Sequence, residues 1–290
     1  MPTDRTLARR LGLADVTLIV MGGIIGSGIF VNPSVVAART GSGVLAMTAW
    51  LVGGAIALAG AFVYAELGAR RPQAGGQYAY LREAFHPAVG FVYAWGLLLL
   101  IQTGGMAASA MTFARYLREL AHVPWPEGVL AGGVLLLLTA INALGVRSGA
   151  STQNVLMLVK VAAILAVIVA GFAFAAPAAA AAPALAAPAA GLGAAMVPVL
   201  FAYGGWQTAA FVGGEVREPA RTLPRGMVLG VIGVVLLYVG VNLACLHVLG
   251  SAGLAASSAP AADVMRSAFG DQGARWLALG VAASTLGFLS

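Results

Sequence analysis

Two runs of glycine interrupt long apolar stretches of this 290-residue chain, and there the backbone itself can do chemistry. The first is Gly22-Gly23-Ile24-Ile25-Gly26-Ser27-Gly28-Ile29-Phe30; the second is Phe201-Ala202-Tyr203-Gly204-Gly205-Trp206. Glycine costs a helix about 1 kcal/mol against alanine, so a cluster predicts unwinding. Unwound backbone is tolerated in a bilayer only where it lines a cavity or is buried in protein. It presents N–H groups at the start of the following half-helix, with the positive end of the dipole behind them. It presents carbonyls at the end of the preceding half-helix, with the negative end. A zwitterion suits both. Free backbone around Gly26, Ser27 and Gly28 would take a carboxylate, and the carbonyls of Ile24, Phe201 and Gly204 an ammonium. Ile25 and Ala202 lie in the same stretches and complete this candidate set. The alternative is that the glycines only let helices pack closely.

Lys160 is the only lysine, inside the apolar run Val155-Leu156-Met157-Leu158-Val159-Lys160-Val161. An ammonium in the membrane costs at least about 2.5–3.5 kcal/mol on insertion scales and marks a functional site by default. Its three donors could bind carbonyls freed by the first break, as a tethered cation. Proton coupling and snorkelling to an interface are the other readings. Ser27 with His247 gives a remote alternative, the dyad of an intramembrane serine protease. One cysteine, Cys245, allows neither an intramolecular disulfide nor a cysteine-based zinc site. No metal site and no cofactor is expected, and no enzyme activity.

The elements that hold these residues are membrane helices. The chain is 60% hydrophobic and only 9% charged. A soluble domain carries about 25% charged residues, so a soluble enzyme, a disordered chain and a secreted disulfide scaffold are excluded. Apolar runs predict helices near 16–39, 44–69, 88–118, 128–146, 152–175, 193–214, 226–250 and 273–290. About 20 residues cross a bilayer, so the length holds roughly eight. The Ala/Pro-rich stretch 176–192 reads as an extracellular loop, because its prolines remove helical donors. The net charge of +6 comes from arginines between apolar runs, which sets topology and does not suggest nucleic acid. With the N-terminus inside, Arg5, Arg9, Arg10, Arg70, Arg71, Arg82, Arg147, Arg217, Arg221 and Arg225 are cytoplasmic. Arg39, Arg115, Arg118, Arg266 and Arg275 are then outside, and this bias favours a cytoplasmic N-terminus.

The two breaks occupy matching places. Helices one, two and three recur as six, seven and eight at offsets of about 177, 182 and 185 residues, and paired broken helices in inverted repeats point to a secondary transporter. The expected organisation is a cytoplasmic segment 1–15, a five-helix repeat 16–175, the loop 176–192 and a partial second repeat 193–290.

These residues carry a resemblance. Gly-Ile-Ile-Gly-Ser-Gly-Ile-Phe at 23–30 resembles the first-helix motif of the amino acid–polyamine–organocation (APC) transporters. Tyr64-Ala65-Glu66-Leu67-Gly68, with Pro72 and Gly75-Gly76-Gln77-Tyr78, is similar to their second helix and following loop. Phe-Ala-Tyr-Gly-Gly-Trp at 201–206, with Glu215, Pro219 and Leu223-Pro224-Arg225, resembles the sixth helix of the L-type amino acid exchanger branch. The resemblance implies an all-α, polytopic membrane protein with a LeuT-like 5+5 inverted repeat, helices one and six broken, working by alternating access in the cell membrane. It implies amino acid substrates held by backbone, neutral ones because helices three and six show no carboxylate near the pocket. It makes Phe201 a gate and brings Gln207, Gln102 and Gly105 near the side-chain pocket, although both glutamines could equally be interhelical hydrogen-bond partners. In related transporters a lysine at the position of Lys160 stands in for a sodium ion. No disulfide-linked heavy subunit is expected, since 118–128 holds no cysteine. The family usually has twelve helices, so the chain is expected to stop short, after the eighth. A non-transporting membrane fragment is therefore the second reading.

Overall fold

The computed structural model describes residues 9–72, 75–121, 123–143, 149–178 and 191–289. Its elements are helices, joined by one isolated parallel bridge between Leu11 and Val216. In chain order they are α1 (Leu13–Ile24), α2 (Gly28–Thr40), α3 (Gly43–Arg70), α4 (Gly76–Ala84) and α5 (Pro87–Gly96). A π-helical segment, Leu97–Gln102, continues α5 into α6 (Thr103–Ala121). Then come α7 (Glu127–Ala143), α8 (Gly149–Val169) with a π-helical end at Ala170–Phe174, and α9 (Gly191–Tyr203). Two short 3-10 turns, Trp206–Ala210 and Gly213–Glu215, lead to α10 (Pro219–Ala256) and α11 (Pro260–Leu289). Most of the predicted loop 176–192 lies outside the described residues.

Among the described residues, four stretches are long and apolar enough to cross a membrane: Gly43–Arg70, Pro87–Arg118, Met157–Phe174 and Pro219–Ala256. The pair α1 and α2 passes the same test as one broken span.

The structure adds the short helix α4, which no apolar run predicts, and differs from the sequence expectation in three of the predicted runs. The predicted helix 193–214 ends at Tyr203, because Gly205 is left-handed at φ 113° and only 3-10 turns follow. The predicted helix 226–250 begins earlier, at Pro219, where proline suits a first helical turn. The eighth run is preceded by ten helical residues too polar for a hydropathy signal. Gly270, at φ 66°, separates them from the apolar part of α11.

The chain forms two compact units. The first comprises Met1–Ile24, Gly54–Gly104 and Tyr203–Val235; the second comprises Ile25–Gly53, Gly105–Ala202 and Leu236–Ser290. Two of the cuts fall at the glycine runs, between Ile24 and Ile25 and between Ala202 and Tyr203.

In the first unit α1 lies on α10 at van der Waals range. A Cβ on Gly226 would sit 2.4 Å from Val16 Cγ1, and one on Gly230 2.8 Å from Val20 Cβ. This small-xxx-small spacing lets apolar helices pack by dispersion where lipid offers no hydrophobic drive. Arg10 and Leu11 donate their N–H groups to the Glu215 carbonyl, which fixes the segment before α1. The second unit buries Phe30, Trp50, Ile164, Tyr238 and Leu254. Trp50 and Tyr238 meet edge to face, with centroids 5.8 Å apart.

Candidate functional site

The second unit holds the start of α2 beside the end of α9. Helix α1 stops at Ile24, and Ile25, Gly26 and Ser27 are not helical. Ser27 precedes α2 without a side-chain cap. The first N–H groups of a helix have no partner inside it. Phe30 N–H turns back to the Ser27 carbonyl at 3.2 Å. A Cβ on Gly26 would meet nothing within 4 Å, so this backbone opens onto free space.

Helices α2 and α9 run antiparallel. A Cβ on Gly28 would lie 3.4 Å from Ala202 Cβ. Further along, Asn32 Nδ2 donates to the Pro198 carbonyl at 2.9 Å. At the far end Arg39 Nη1 donates to the Ala194 carbonyl at 2.5 Å. That carbonyl is available because Pro198 has no N–H to return to it. The positive end of α2 therefore stands next to the negative end of α9.

The freed carbonyls are held by side chains. Lys160 is buried at 3% exposure and donates from Nζ to the Ile25 carbonyl at 3.3 Å. Tyr238 donates its hydroxyl to the Ala202 carbonyl at 3.3 Å. Ala202 would need the N–H of residue 206 to stay helical, and the helix has ended. Phe201, in the last turn of α9, is 63% exposed.

The first unit holds most of the other sequence candidates. Gly205 approaches Gly23 so closely that a Cβ on it would lie 2.0 Å from the Gly23 carbonyl oxygen. Gln207 accepts the Gly205 N–H at 3.2 Å, a local cap on the turn, and Thr208 Oγ1 donates to the Gly205 carbonyl at 2.8 Å. Gly204 is exposed, Ile24 is buried at the end of α1, and Gln102 is exposed at the end of the π-helical segment. Gly105, half-buried on α6, belongs to the second unit. Ile25, Gly28, Ala202 and Lys160 are thus gathered around one pair of helix ends. Gln207 is turned back on its own loop.

Sequence reasoning missed the side chains that secure these elements. Asn32 and Tyr238 are lone hydrogen-bonding residues in apolar runs, and that isolation was the available signal. In the first unit Gln77 on α4 donates to Tyr64 OH at 2.6 Å and accepts from Tyr93 OH. Tyr64 packs edge to face on Trp206 at 4.9 Å, and Trp206 fills the space that a side chain at Gly60 would need. Burial and its neighbour Tyr64 raise the pKa of the Tyr80 phenol on α4 above its ordinary value. Glu66 pairs with Arg70 at 2.5 Å, while Arg71 reaches Glu83 on α4 at 2.7 Å. His247 stacks on Phe172 with centroids 5.3 Å apart.

A family model described as amino acid permease matches residues 11–290. The chain is 31% identical over 291 residues to the serine/threonine exchanger SteT of Bacillus subtilis, covering 99% of this chain and 66% of that protein. It is 32% identical over 296 residues to the b(0,+)-type amino acid transporter 1 of Mus musculus, covering 97% of this chain and 60% of the relative. It is 34% identical over 268 residues to the large neutral amino acids transporter small subunit 2 of Rattus norvegicus, covering 88% and 50%. The chain spans between half and two thirds of the length of these relatives.

Proposed function

The chain belongs to the amino acid permease family, and from that premise we propose that it carries neutral L-amino acids across the cell membrane by alternating access. It is a multi-pass, all-α membrane protein and not an enzyme, which sets the serine protease reading aside. One observation carries the proposal. The uncapped start of α2 stands beside the closing carbonyls of α9, with open space at Gly26. Backbone N–H groups and a positive dipole end suit a substrate carboxylate, and carbonyls with a negative dipole end suit its ammonium. Lys160 neutralises the Ile25 carbonyl as a sodium ion would, so transport runs without sodium. Phe201 serves as a gate, and its exposed position in the last turn of α9 supports that role.

The arrangement around these residues follows the same reading. The two broken helices open the two halves of a 5+5 inverted repeat, and the arginine bias puts the N-terminus in the cytoplasm. Cys245 is buried in α10, so this chain offers no thiol to a disulfide-linked partner. The test is uptake of radiolabelled neutral amino acids into proteoliposomes preloaded with unlabelled substrate. Accumulation that survives replacement of sodium by choline supports the proposal. The absence of any exchange across a panel of neutral amino acids overturns it.

A further inference from the structure

The first unit gathers arginines at the end where its membrane spans meet. Arg9 and Arg10 precede α1, Arg217, Arg221 and Arg225 stand at the start of α10, and all of them are exposed. The two segments are tied side by side. Arg10 N–H donates to the Glu215 carbonyl at 2.8 Å, and Arg217 N–H donates to the Leu11 carbonyl at 2.9 Å. Arg221 and Arg225 are one helical turn apart, so they share a face of α10. The described carboxylates on the same elements are Asp15, Glu215 and Glu218, fewer than the arginines. Asp15 accepts the Gly12 N–H at 2.8 Å. Among the described residues no ion pair joins any of these arginines to a carboxylate. Arg70 and Arg71 of the same unit, by contrast, are paired with Glu66 and Glu83.

The membrane boundary decides what these side chains meet. Helix α10 opens one apolar span, and α3 closes another at Arg70. A Cβ on Gly68 would lie 3.2 Å from Leu223 Cδ1, so the two ends stand at one level. Toward the membrane interior the arginine face of α10 continues with Leu229, 50% exposed, and Ile232, 40% exposed. Arg221, Arg225, Leu229 and Ile232 follow the spacing of a single helix face. Cations at the boundary and exposed apolar side chains beneath them match the outline of a phospholipid. The positive end of the α10 dipole adds to the potential at that boundary.

We propose that this face binds an anionic phospholipid, with its phosphate on Arg217, Arg221 and Arg225, Arg10 beside it, and an acyl chain along Leu229 and Ile232. Arginine forks hold phosphate oxygens in charge-assisted pairs, and basic clusters next to a span recognise anionic headgroups. With the cytoplasmic N-terminus proposed above, this end faces the leaflet that carries anionic lipids. The bound lipid ties the segment before α1 to the start of α10, because arginines from both share one headgroup. The site is separate from the broken-helix backbone and does not depend on which substrate is carried.

Native mass spectrometry of the chain in detergent tests it, with phosphatidylglycerol and phosphatidylcholine of the same acyl chains as probes. The wild type should retain phosphatidylglycerol at least about fivefold more tightly, the effect of one arginine near a charged surface. Arg221→Gln with Arg225→Gln should bring the two lipids level, and Arg221→Lys with Arg225→Lys should keep most of the preference. Arg115→Gln with Arg118→Gln, on α6, should leave it unchanged. Raising ammonium acetate about tenfold should reduce the wild-type preference, because salt screens exposed charges. Inorganic phosphate should not displace the lipid. Equal retention of both lipids by the wild type overturns the proposal. So does a preference that survives Arg221→Gln with Arg225→Gln, or one lost equally with the α6 pair. Displacement by inorganic phosphate would assign the arginines to free phosphate and overturn the lipid site. If the glutamine variant does not fold, the salt series on the wild type decides, and a preference indifferent to salt overturns the proposal.

Discussion

The Lys160 ammonium lies 3.3 Å from the Ile25 carbonyl, placing the chain's only lysine against the first residue of the break between α1 and α2. A hydrogen bond from a charged donor contributes about 1.5–3 kcal/mol where it is buried. Replacing Lys160 by Met removes the donor, keeps much of the volume and leaves the carbonyl without that charge. The expected result is loss of amino acid uptake by tenfold or more and a lower melting temperature in detergent. Uptake by the wild type should be indifferent to sodium. Unchanged transport by the Met variant would disprove the cation-substitute role.

Two glycines in the candidate stretches should respond oppositely to alanine. Gly205 sits at φ 113°, and its Cβ would lie 2.0 Å from a backbone oxygen. Strain of that kind costs of order 1–3 kcal/mol before the clash is counted. Gly205→Ala should lower the melting temperature sharply or prevent folding. Gly26 has open space where its Cβ would go. Gly26→Ala should keep the melting temperature while weakening substrate binding, because it fills free space and favours helix across the break. Fluorescence-detected thermal unfolding and ligand binding on both variants separate the two cases.

The contrast shows how far the sequence could be read. Glycine clusters made both breaks visible, because so many poor helix formers in apolar runs weaken the helix there. What glycine composition cannot show is which residues face a neighbour. Gly205 and Gly26 look alike in the sequence and differ in backbone conformation and in what stands opposite them. The same holds for Gln207, read as a pocket residue, whose amide instead accepts the N–H of Gly205. The helix Gly76–Ala84 escaped for another reason: it is short and polar, with Arg82 and Glu83 inside it, so hydropathy has no signal there. Its position depends on Gln77 finding two phenols from other helices, a relationship between distant residues.

That bridge makes Gln77 a test of how α4 is fastened. Gln77→Leu leaves the Tyr64 and Tyr93 hydroxyls without their shared partner. Each lost hydrogen bond costs about 1 kcal/mol. Amide hydrogen exchange should rise across residues 76–84 while α8 and α11 keep their protection. Equal protection in both proteins would show that the backbone bond from Gly75 to Phe211 and the Arg71–Glu83 pair suffice to hold α4.

The pairing of α2 with α9 yields a prediction in which two changes must not add. Pro198 removes the N–H that would bond to the Ala194 carbonyl, and Arg39 supplies a donor in its place. If that is why Arg39 stands there, its contribution depends on the proline. In the wild type, Arg39→Ala should cost about 1 kcal/mol, the scale of a partly exposed hydrogen bond. In a Pro198→Ala background the helix provides its own donor, and the same change should cost little. Residues that share a partner give coupling energies of about 0.5–3 kcal/mol in such cycles, while independent ones add within about 0.5 kcal/mol. Thermal or denaturant unfolding of the four proteins measures the difference. Additive losses would mean that Arg39 acts only as a surface charge, and that Asn32 alone fastens α2 to α9.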